Sequence, residues 1–252
     1  MKVLVVGAGK MISAILAGLP AAELSQWGIV SKSGESAKKM AALYGMKFVE
    51  KVEDFKNPEW ILLGCKPQQI KEIKIPDVPV MSVLAALTEK TQKEILGVKH
   101  LVRAMPNLPV RYNQGVTLLS SISSSHLNFP LELFGKLGTA KVMSEAELEE
   151  ITLLTGSGPA LFYEFARSLS QAFTSLSTEE REELTKSLMK GVAASVSEDN
   201  FENLINAVTS KGGVTIAVLE EWRKKNLSGV LSDGVRNGIK RTEELKALLL
   251  QS

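Results

Sequence analysis

A few short segments of this chain combine small, hydroxylated and charged residues in an order that could do chemistry. The first is Gly7-Ala8-Gly9-Lys10-Met11. It follows the β-branched run Val3-Leu4-Val5-Val6 and leads into a helical apolar period at Met11, Ile15, Leu16 and Leu19. Glycines at a strand-to-helix turn let the backbone approach a pyrophosphate, and the helix start then offers unpaired N–H groups to the anion. That chemistry is dinucleotide binding. The third small position of the Gly-x-Gly-x-x-Gly pattern is Ile12, which predicts a wider spacing between helix and strand.

The second segment selects among nucleotides. A site for NAD carries an acid about 20 residues past the glycines, for the ribose hydroxyls. Here the next strand ends in Val30 and continues Ser31-Lys32-Ser33-Gly34. Two hydroxyls and an ammonium suit a 2′-phosphate, which a carboxylate would repel. The expected cofactor is therefore NADPH, with NADH as the alternative if a longer strand brings Glu35 to the ribose.

Four more segments stand out. Leu63-Gly64-Cys65-Lys66-Pro67-Gln68 ends a buried strand where a loop would face the nicotinamide half of the cofactor. Arg103-Ala104-Met105-Pro106-Asn107-Leu108-Pro109 breaks another strand with two prolines around an asparagine. Thr155-Gly156-Ser157-Gly158-Pro159-Ala160 predicts a tight bend into a helix, with Pro159 in its first turn. Thr209-Ser210-Lys211-Gly212-Gly213-Val214-Thr215 is a glycine turn opening a helix. Its N–H groups and hydroxyls make a pocket for a small carboxylate.

These segments must be positioned by two kinds of structure. Strands are predicted at 2–6, 28–31, 60–65, 80–83 and 101–104, and more weakly at 115–119 and 140–143. Helices lie between several of them, at 11–19, 36–44, 67–73 and 91–96. Such alternation argues for a parallel sheet covered on both faces. After Glu145 the pattern turns helical: 146–154, 159–176, 179–196, 201–208, 215–224 and 231–250. The fold class is thus α/β, with a Rossmann-type dinucleotide-binding domain over 1–144 and an all-α domain over 145–252. Apolar helix faces such as Leu161, Phe162, Phe165, Leu169 and Phe173 lack a sheet to cover and predict a homodimer.

Bulk properties exclude several classes. The 252 residues are 44% hydrophobic and 23% charged, with a formal charge of +2. Mixed charge of this kind suits neither a nucleic-acid nor a membrane-surface partner. Cys65 is the single cysteine, there is no signal-peptide pattern, and no apolar run approaches the roughly 18 residues of a membrane span. A cytoplasmic protein is expected. His100 and His126 are the only histidines and lie in no ligand spacing, so no metal is expected.

The order Gly-x-Gly-x-Met, Cys-Lys-Pro, Arg-Ala-Met-Pro-Asn-x-Pro, Gly-Ser-Gly-Pro-Ala and Ser-x-Gly-Gly-x-Thr resembles the Δ1-pyrroline-5-carboxylate reductases, from Lys2 to about Trp222. The resemblance implies reduction of a cyclic imine to L-proline by NADPH or NADH, the last step of proline biosynthesis. It also implies an intertwined homodimer, in some members built into rings. Residue by residue, it places Gly7, Gly9, Lys10 and Met11 at the pyrophosphate and Ser31, Lys32 and Ser33 near the adenosine ribose. Cys65, Lys66, Pro67, Ala85 and Asn107 fall along the nicotinamide. Ser210, Gly213, Val214 and Thr215 would hold the substrate, Thr215 nearest the imine nitrogen. Glu145 and Glu198 match acidic positions around the substrate pocket more loosely. Three departures are Lys211 in place of a proline, Ile12 in place of a small residue, and Leu84-Ala85-Ala86 in place of Ala-Ala-Gly.

An imine suits these residues. A ketone reduced by hydride leaves an alkoxide and demands an acid. A protonated imine is already electrophilic, so orientation and a hydroxyl such as Thr215 suffice. A β-hydroxyacid dehydrogenase would need a lysine one helical turn from an asparagine, and Pro159-Ala160-Leu161-Phe162-Tyr163-Glu164 has neither. Reduction of a six-membered cyclic imine, and nucleotide binding without turnover, are the remaining alternatives.

Overall fold

A computed structural model describes residues 1–251. The first part of the chain runs β1 (Val3–Val6), α1 (Lys10–Gly18), α2 (Ala21–Leu24), β2 (Gly28–Val30), α3 (Glu35–Tyr44), β3 (Lys47–Phe48), β4 (Trp60–Leu63), β5 (Val80–Ser82), α4 (Glu89–Leu96), β6 (Leu101–Pro106), β7 (Gly115–Ser120), α5 (Asn128–Gly135) and β8 (Gly138–Val142). The described residues form one eight-stranded sheet in the order β3-β2-β1-β4-β5-β6-β7-β8. Pairing is parallel except between β6 and β7, where Arg103 faces Ser120. The expected parallel sheet therefore carries one antiparallel step, which the short connection from β6 to β7 enforces: a parallel return needs a crossover of a dozen residues or more.

Every residue of β1 and β4 is buried, because both faces of the sheet are covered. Val3 and Val5 pack with Ile12, Ile15 and Leu16 of α1 on one face. Leu4 and Val6 pack with Ile61, Leu63 and Ile70 on the other. Continuous β-branched and leucine runs are what two-sided burial requires. β3, α2 and α5 are absent from the strand and helix expectations. β3 is two residues long and half exposed, too short for an alternating pattern.

The helical part comprises α6 (Glu145–Gln171), α7 (Thr178–Ser195), α8 (Phe201–Ala207), α9 (Val214–Lys224) and α10 (Leu227–Gln251). Ser177 opens α7 with a capping box: its Oγ accepts from the Glu180 N–H, and the Glu180 carboxylate accepts from the Ser177 N–H at 3.0 Å. This reciprocal pair satisfies two of the donors that a helix start leaves unpaired. The two helices expected at 146–154 and 159–176 are a single one. Pro159 lies inside α6 rather than at a helix start, and the predicted bend does not occur there.

Two compact units emerge, one of Met1–Pro159 with the chain from Ile239 onward, the other of Ala160–Gly238. A division after Ser144 coincides instead with the start of α6. Within the second unit Phe165 meets Trp222 edge-on at 5.9 Å, while Phe162, Leu184, Leu188 and Val192 stay exposed on their helices. Among the described residues no helix is long and apolar enough to cross a membrane, and no group of three metal-capable side chains occurs. His100 and His126, remote in sequence, stack with ring centroids 4.0 Å apart beside Trp60.

The bulky Ile12 finds its room at Gly64, directly after β4. A β-carbon at position 64 would collide with Cδ1 and Cγ1 of Ile12, which is fully buried. Gly64→Ala should cost about 1–3 kcal/mol of stability by overpacking. Ile12→Ala removes both colliding atoms, so the double variant should lose less than the two single losses added. Chemical unfolding of the four proteins measures this, and strict additivity would refute the contact.

Candidate functional site

The carboxyl ends of β2, β1, β4 and β5 lie side by side, and the strand order reverses between β1 and β4. In open α/β sheets the loops separate at that switch point and leave a crevice. Here it is a cleft of about 890 Å³, walled by Gly7 and Gly9 after β1, Ser31, Lys32 and Ser33 after β2, and Cys65 and Lys66 after β4. Seven of the expected site residues are thus gathered around one cavity.

Gly7 has φ +117°, and a β-carbon there would sit 2.5 Å from the Gly64 carbonyl. Only glycine permits this approach of two backbones. Gly9 is the N-cap of α1, in extended conformation and without a side-chain cap. The first N–H groups of α1, beginning at Lys10 and Met11, therefore have no intrahelical acceptor. The first turn holds no acid, so nothing neutralises the positive helix end. A diphosphate matches this end in charge and hydrogen bonding.

Ser31 supplies a second indication. Its Oγ is buried and has no hydrogen-bond partner among the described residues. A buried hydroxyl left unpaired is costly, and the ribose of a nucleotide in the cleft offers it partners. Lys32 is exposed and reaches Glu72 at 2.7 Å; both line the cleft. An exposed ion pair of this kind is worth under ~1 kcal/mol, so a phosphate could displace Glu72 at little cost. Glu35, the acid that would favour NAD, opens α3 and pairs with Lys39 instead. The residues present fit a dinucleotide with a 2′-phosphate.

Cys65 lines the same cleft, yet burial pushes its thiol up to about 11. It stays protonated at neutral pH and offers shape rather than a nucleophile. Pro67 opens the 3₁₀ turn Pro67–Glu72 after Lys66, and Ala85 stands exposed past the end of β5. Next to it Ala86 adopts φ +69°, the left-handed conformation that the glycine of Ala-Ala-Gly would take freely. In an alanine it costs about 1 kcal/mol. Sequence reasoning missed Glu50, Lys51, Glu53, Glu72 and Lys74, which also line the cleft. They come from irregular loops and short 3₁₀ turns, where no spacing marks them.

Two expected site residues are already committed elsewhere. The Glu145 carboxylate accepts from Arg103 Nη1 at 2.5 Å and from the Glu89 N–H at 2.7 Å. Arg103 is almost fully buried and also reaches Glu149 at 3.2 Å, which pairs with Lys246 at 2.5 Å. Burial raises the Glu149 carboxyl, but the bonds and charges of Lys246 and Arg103 outweigh it and bring it below the usual range. Burial likewise pushes the Glu89 carboxyl up, against the Ile122 N–H that it accepts. Glu145 thus anchors α6 to β6 and α4. Asn107 spends both ends of its amide on backbone groups, Thr155 and Val116.

In the helical unit, the Gly213 N–H closes a turn onto the Ser210 carbonyl at 3.0 Å, with Gly212 at φ +70°. A β-carbon on Gly213 would collide with Ser210 Oγ. Gly213 then caps α9 without a side-chain bond, and Val214 and Thr215 begin the helix with no acid in its first turn. Thr215 is exposed, as is Lys211 within the turn. Ser210, Gly213, Val214 and Thr215 are therefore gathered at one helix start. Glu198 lies apart from them in sequence, exposed in the connection from α7 to α8.

Comparison with known proteins covers both regions. A family model described as pyrroline-5-carboxylate reductase dimerisation matches residues 145–245. Another, described as NADP oxidoreductase, coenzyme F420-dependent, matches residues 2–76. The chain is 28% identical over 266 residues to a pyrroline-5-carboxylate reductase of Haemophilus influenzae, covering 96% of this chain and 97% of that one. It is 29% identical over 267 residues to that of Staphylococcus saprophyticus, covering 98% of each. Among solved structures, a pyrroline-5-carboxylate reductase from Coxiella burnetii matches with a TM-score of 0.85 at 25% identity, over 96% of this chain and 97% of that one.

The place of Lys32 beside Ser31 and Ser33 generates a test. Lys32→Asp should lower kcat/KM for NADPH relative to NADH by roughly tenfold or more, the value of one charge-assisted hydrogen bond. Steady-state rates with each nucleotide give the ratio. An unchanged ratio would remove Lys32 from cofactor selection.

Proposed function

We propose that this chain is a member of the pyrroline-5-carboxylate reductase family and reduces 1-pyrroline-5-carboxylate to L-proline with NADPH, the last step of proline biosynthesis; a model of that reductase's dimerisation region matches residues 145–245, and relatives at 28% and 29% identity match nearly the whole chain. It is an oxidoreductase acting on a C=N bond. The observation that carries this reading is the extent of the similarity. It runs over 96% of the chain and so includes the nucleotide cleft and the Ser210–Thr215 turn together.

In this reading residues 1–144 bind the nucleotide, and residues 145–252 carry dimerisation and the substrate. Gly7, Gly9, Lys10 and Met11 meet the pyrophosphate, and Ser31, Lys32 and Ser33 the adenosine ribose and its 2′-phosphate. Cys65, Lys66, Pro67 and Ala85 flank the nicotinamide. The reduced nicotinamide supplies a hydride to the imine carbon. The open N–H groups at the start of α9 hold the substrate carboxylate, with Ser210, Gly213 and Val214 shaping the turn. Thr215 Oγ1 hydrogen-bonds the ring nitrogen as it changes from imine to amine. No titrating side chain is asked to give a proton, because the imine is protonated before hydride arrives. Glu198 belongs to the acidic surroundings of the substrate, while Glu145 and Asn107 act from behind.

The chain works as a homodimer in the cytoplasm, and rings of dimers are an extension of that assembly. The exposed apolar faces of α6 and α7 support it, since stripes of this width are normally covered. Lys211 adds an exposed cation beside the carboxylate pocket and leaves a six-membered cyclic imino acid as the second reading of the substrate.

Purified protein should oxidise NADPH on addition of pyrroline-5-carboxylate, and faster than with the six-membered homologue. No turnover of either would refute the reductase reading. Thr215→Ala should lower kcat/KM for the imine by roughly tenfold or more, as one positioned hydrogen bond is lost. A value equal to that of the natural chain would exclude Thr215 from the reaction.

A further inference from the structure

α6 continues through Pro159, although proline has no N–H to give. In a regular helix residue 159 donates to the carbonyl of residue 155, so the Thr155 carbonyl is left without its partner. Asn107 fills the gap. Its Nδ2 donates to the Thr155 carbonyl oxygen at 3.0 Å, while its Oδ1 accepts from the Val116 N–H at 2.9 Å. The main chain of Asn107 adds a third tie, its own N–H donating to the Val116 carbonyl at 3.2 Å. The residue is only 6% exposed, so water is a poor substitute for any of these bonds.

The location of this substitution matters more than its existence. Gly156 and Gly158 flank the affected turn, and glycine weakens a helix interior. The border between the two compact units falls between Pro159 and Ala160. A helix that lacks one hydrogen bond, carries two glycines and contains a proline is weakened there. The amide of Asn107 restrains it at the missing bond. The two most distinctive motifs of the chain, Arg103–Pro109 and Thr155–Ala160, thus meet through a single hydrogen bond.

We propose that Asn107 is a positioning residue for the reaction: by standing in for the missing N–H of Pro159, it fixes the course of α6 where the chain leaves the cofactor-binding unit for the one bearing Thr215. The proposal rests on the reductase reading above. It assigns Asn107 to the geometry of hydride transfer and not to contact with the nicotinamide.

The test is a double-mutant cycle, because Pro159→Ala returns an N–H to the Thr155 carbonyl and makes the Asn107 donor redundant. In the natural background Asn107→Ala should reduce kcat roughly tenfold or more, with the Kd for NADPH, from titration of nucleotide fluorescence, unchanged within about twofold. In the Pro159→Ala background the same substitution should cost kcat several-fold less, the remaining loss being that of the Val116 N–H bond, which both backgrounds lose. Thermal midpoints of the four proteins should show the same coupling. Equal losses of kcat in both backgrounds, or a tenfold weaker Kd for NADPH in Asn107→Ala, would overturn the proposal. If Asn107→Ala alone does not fold while the double variant does, the coupling is shown directly; if neither folds, Asn107 matters without Pro159 and the proposal fails. Should the natural chain reduce neither imine, the reductase reading is what has failed. The midpoints then still decide the clasp, additive values rejecting it and coupled values upholding it.

Discussion

Between the turn after β1 and the turn after β4 the two backbones come so close that no side chain fits. Gly7 faces the Gly64 carbonyl with the room a β-carbon would need already filled, and Gly64 in turn yields its own space to Ile12 of α1. This contact holds the first helix against the sheet at the point where the strand order reverses. It therefore sets where the open N–H groups of α1 point and how wide the cleft is. The Ser31 hydroxyl, the Lys32–Glu72 pair and the Cys65 thiol are arranged around a gap that this approach creates. A larger residue at either glycine would change the pocket before it changed any functional group.

A second constraint works from the other side of the sheet. Arg103 is buried in β6 with carboxylates from two successive turns of α6, and Lys246 from α10 balances the second of them. A buried guanidinium is tolerable only when its charge is met, and removing one partner from such a group costs about 3–5 kcal/mol. The start of α6 is thus pinned electrostatically, and its middle is held by Asn107. The two anchors come from one motif, four residues apart on the same strand and its exit, and they grip the same helix ten residues apart. Glu145, expected beside the substrate, is held by these bonds as an anchor of α6.

That the proposed reaction asks no side chain for a proton has a chemical cause. A cyclic imine brings its own proton and electrophilicity, so the protein has to orient and solvate rather than to titrate. Burial keeps the Cys65 thiol of the cleft protonated, which makes it a poor nucleophile. In the proposed function hydroxyls and backbone N–H groups carry the work, and they do not titrate across the physiological range.

The elements of the nucleotide cleft were legible in the order of residues because their causes are local. A β-branched run, a glycine turn and an apolar helical period follow one another within a dozen residues, and the absence of an acid after Val30 can be read directly. The capping residues and glycine turns of the helical half are equally local, and most of those helices lie where periodicity puts them. α6 was not legible as one helix. A proline normally ends such a pattern, and the donor that lets this one continue sits 48 residues away. The pairing of Arg103 with Glu145 and Glu149, the stacking of His100 on His126, and the loop residues Glu50, Lys51 and Glu72 in the cleft share that character. Sequence by itself determined what the backbone can do at each step and which chemistry its motifs suit. Tertiary structure alone decided which buried polar groups find partners, because those partners are brought together only by the packing of the sheet, and no spacing along the chain encodes them.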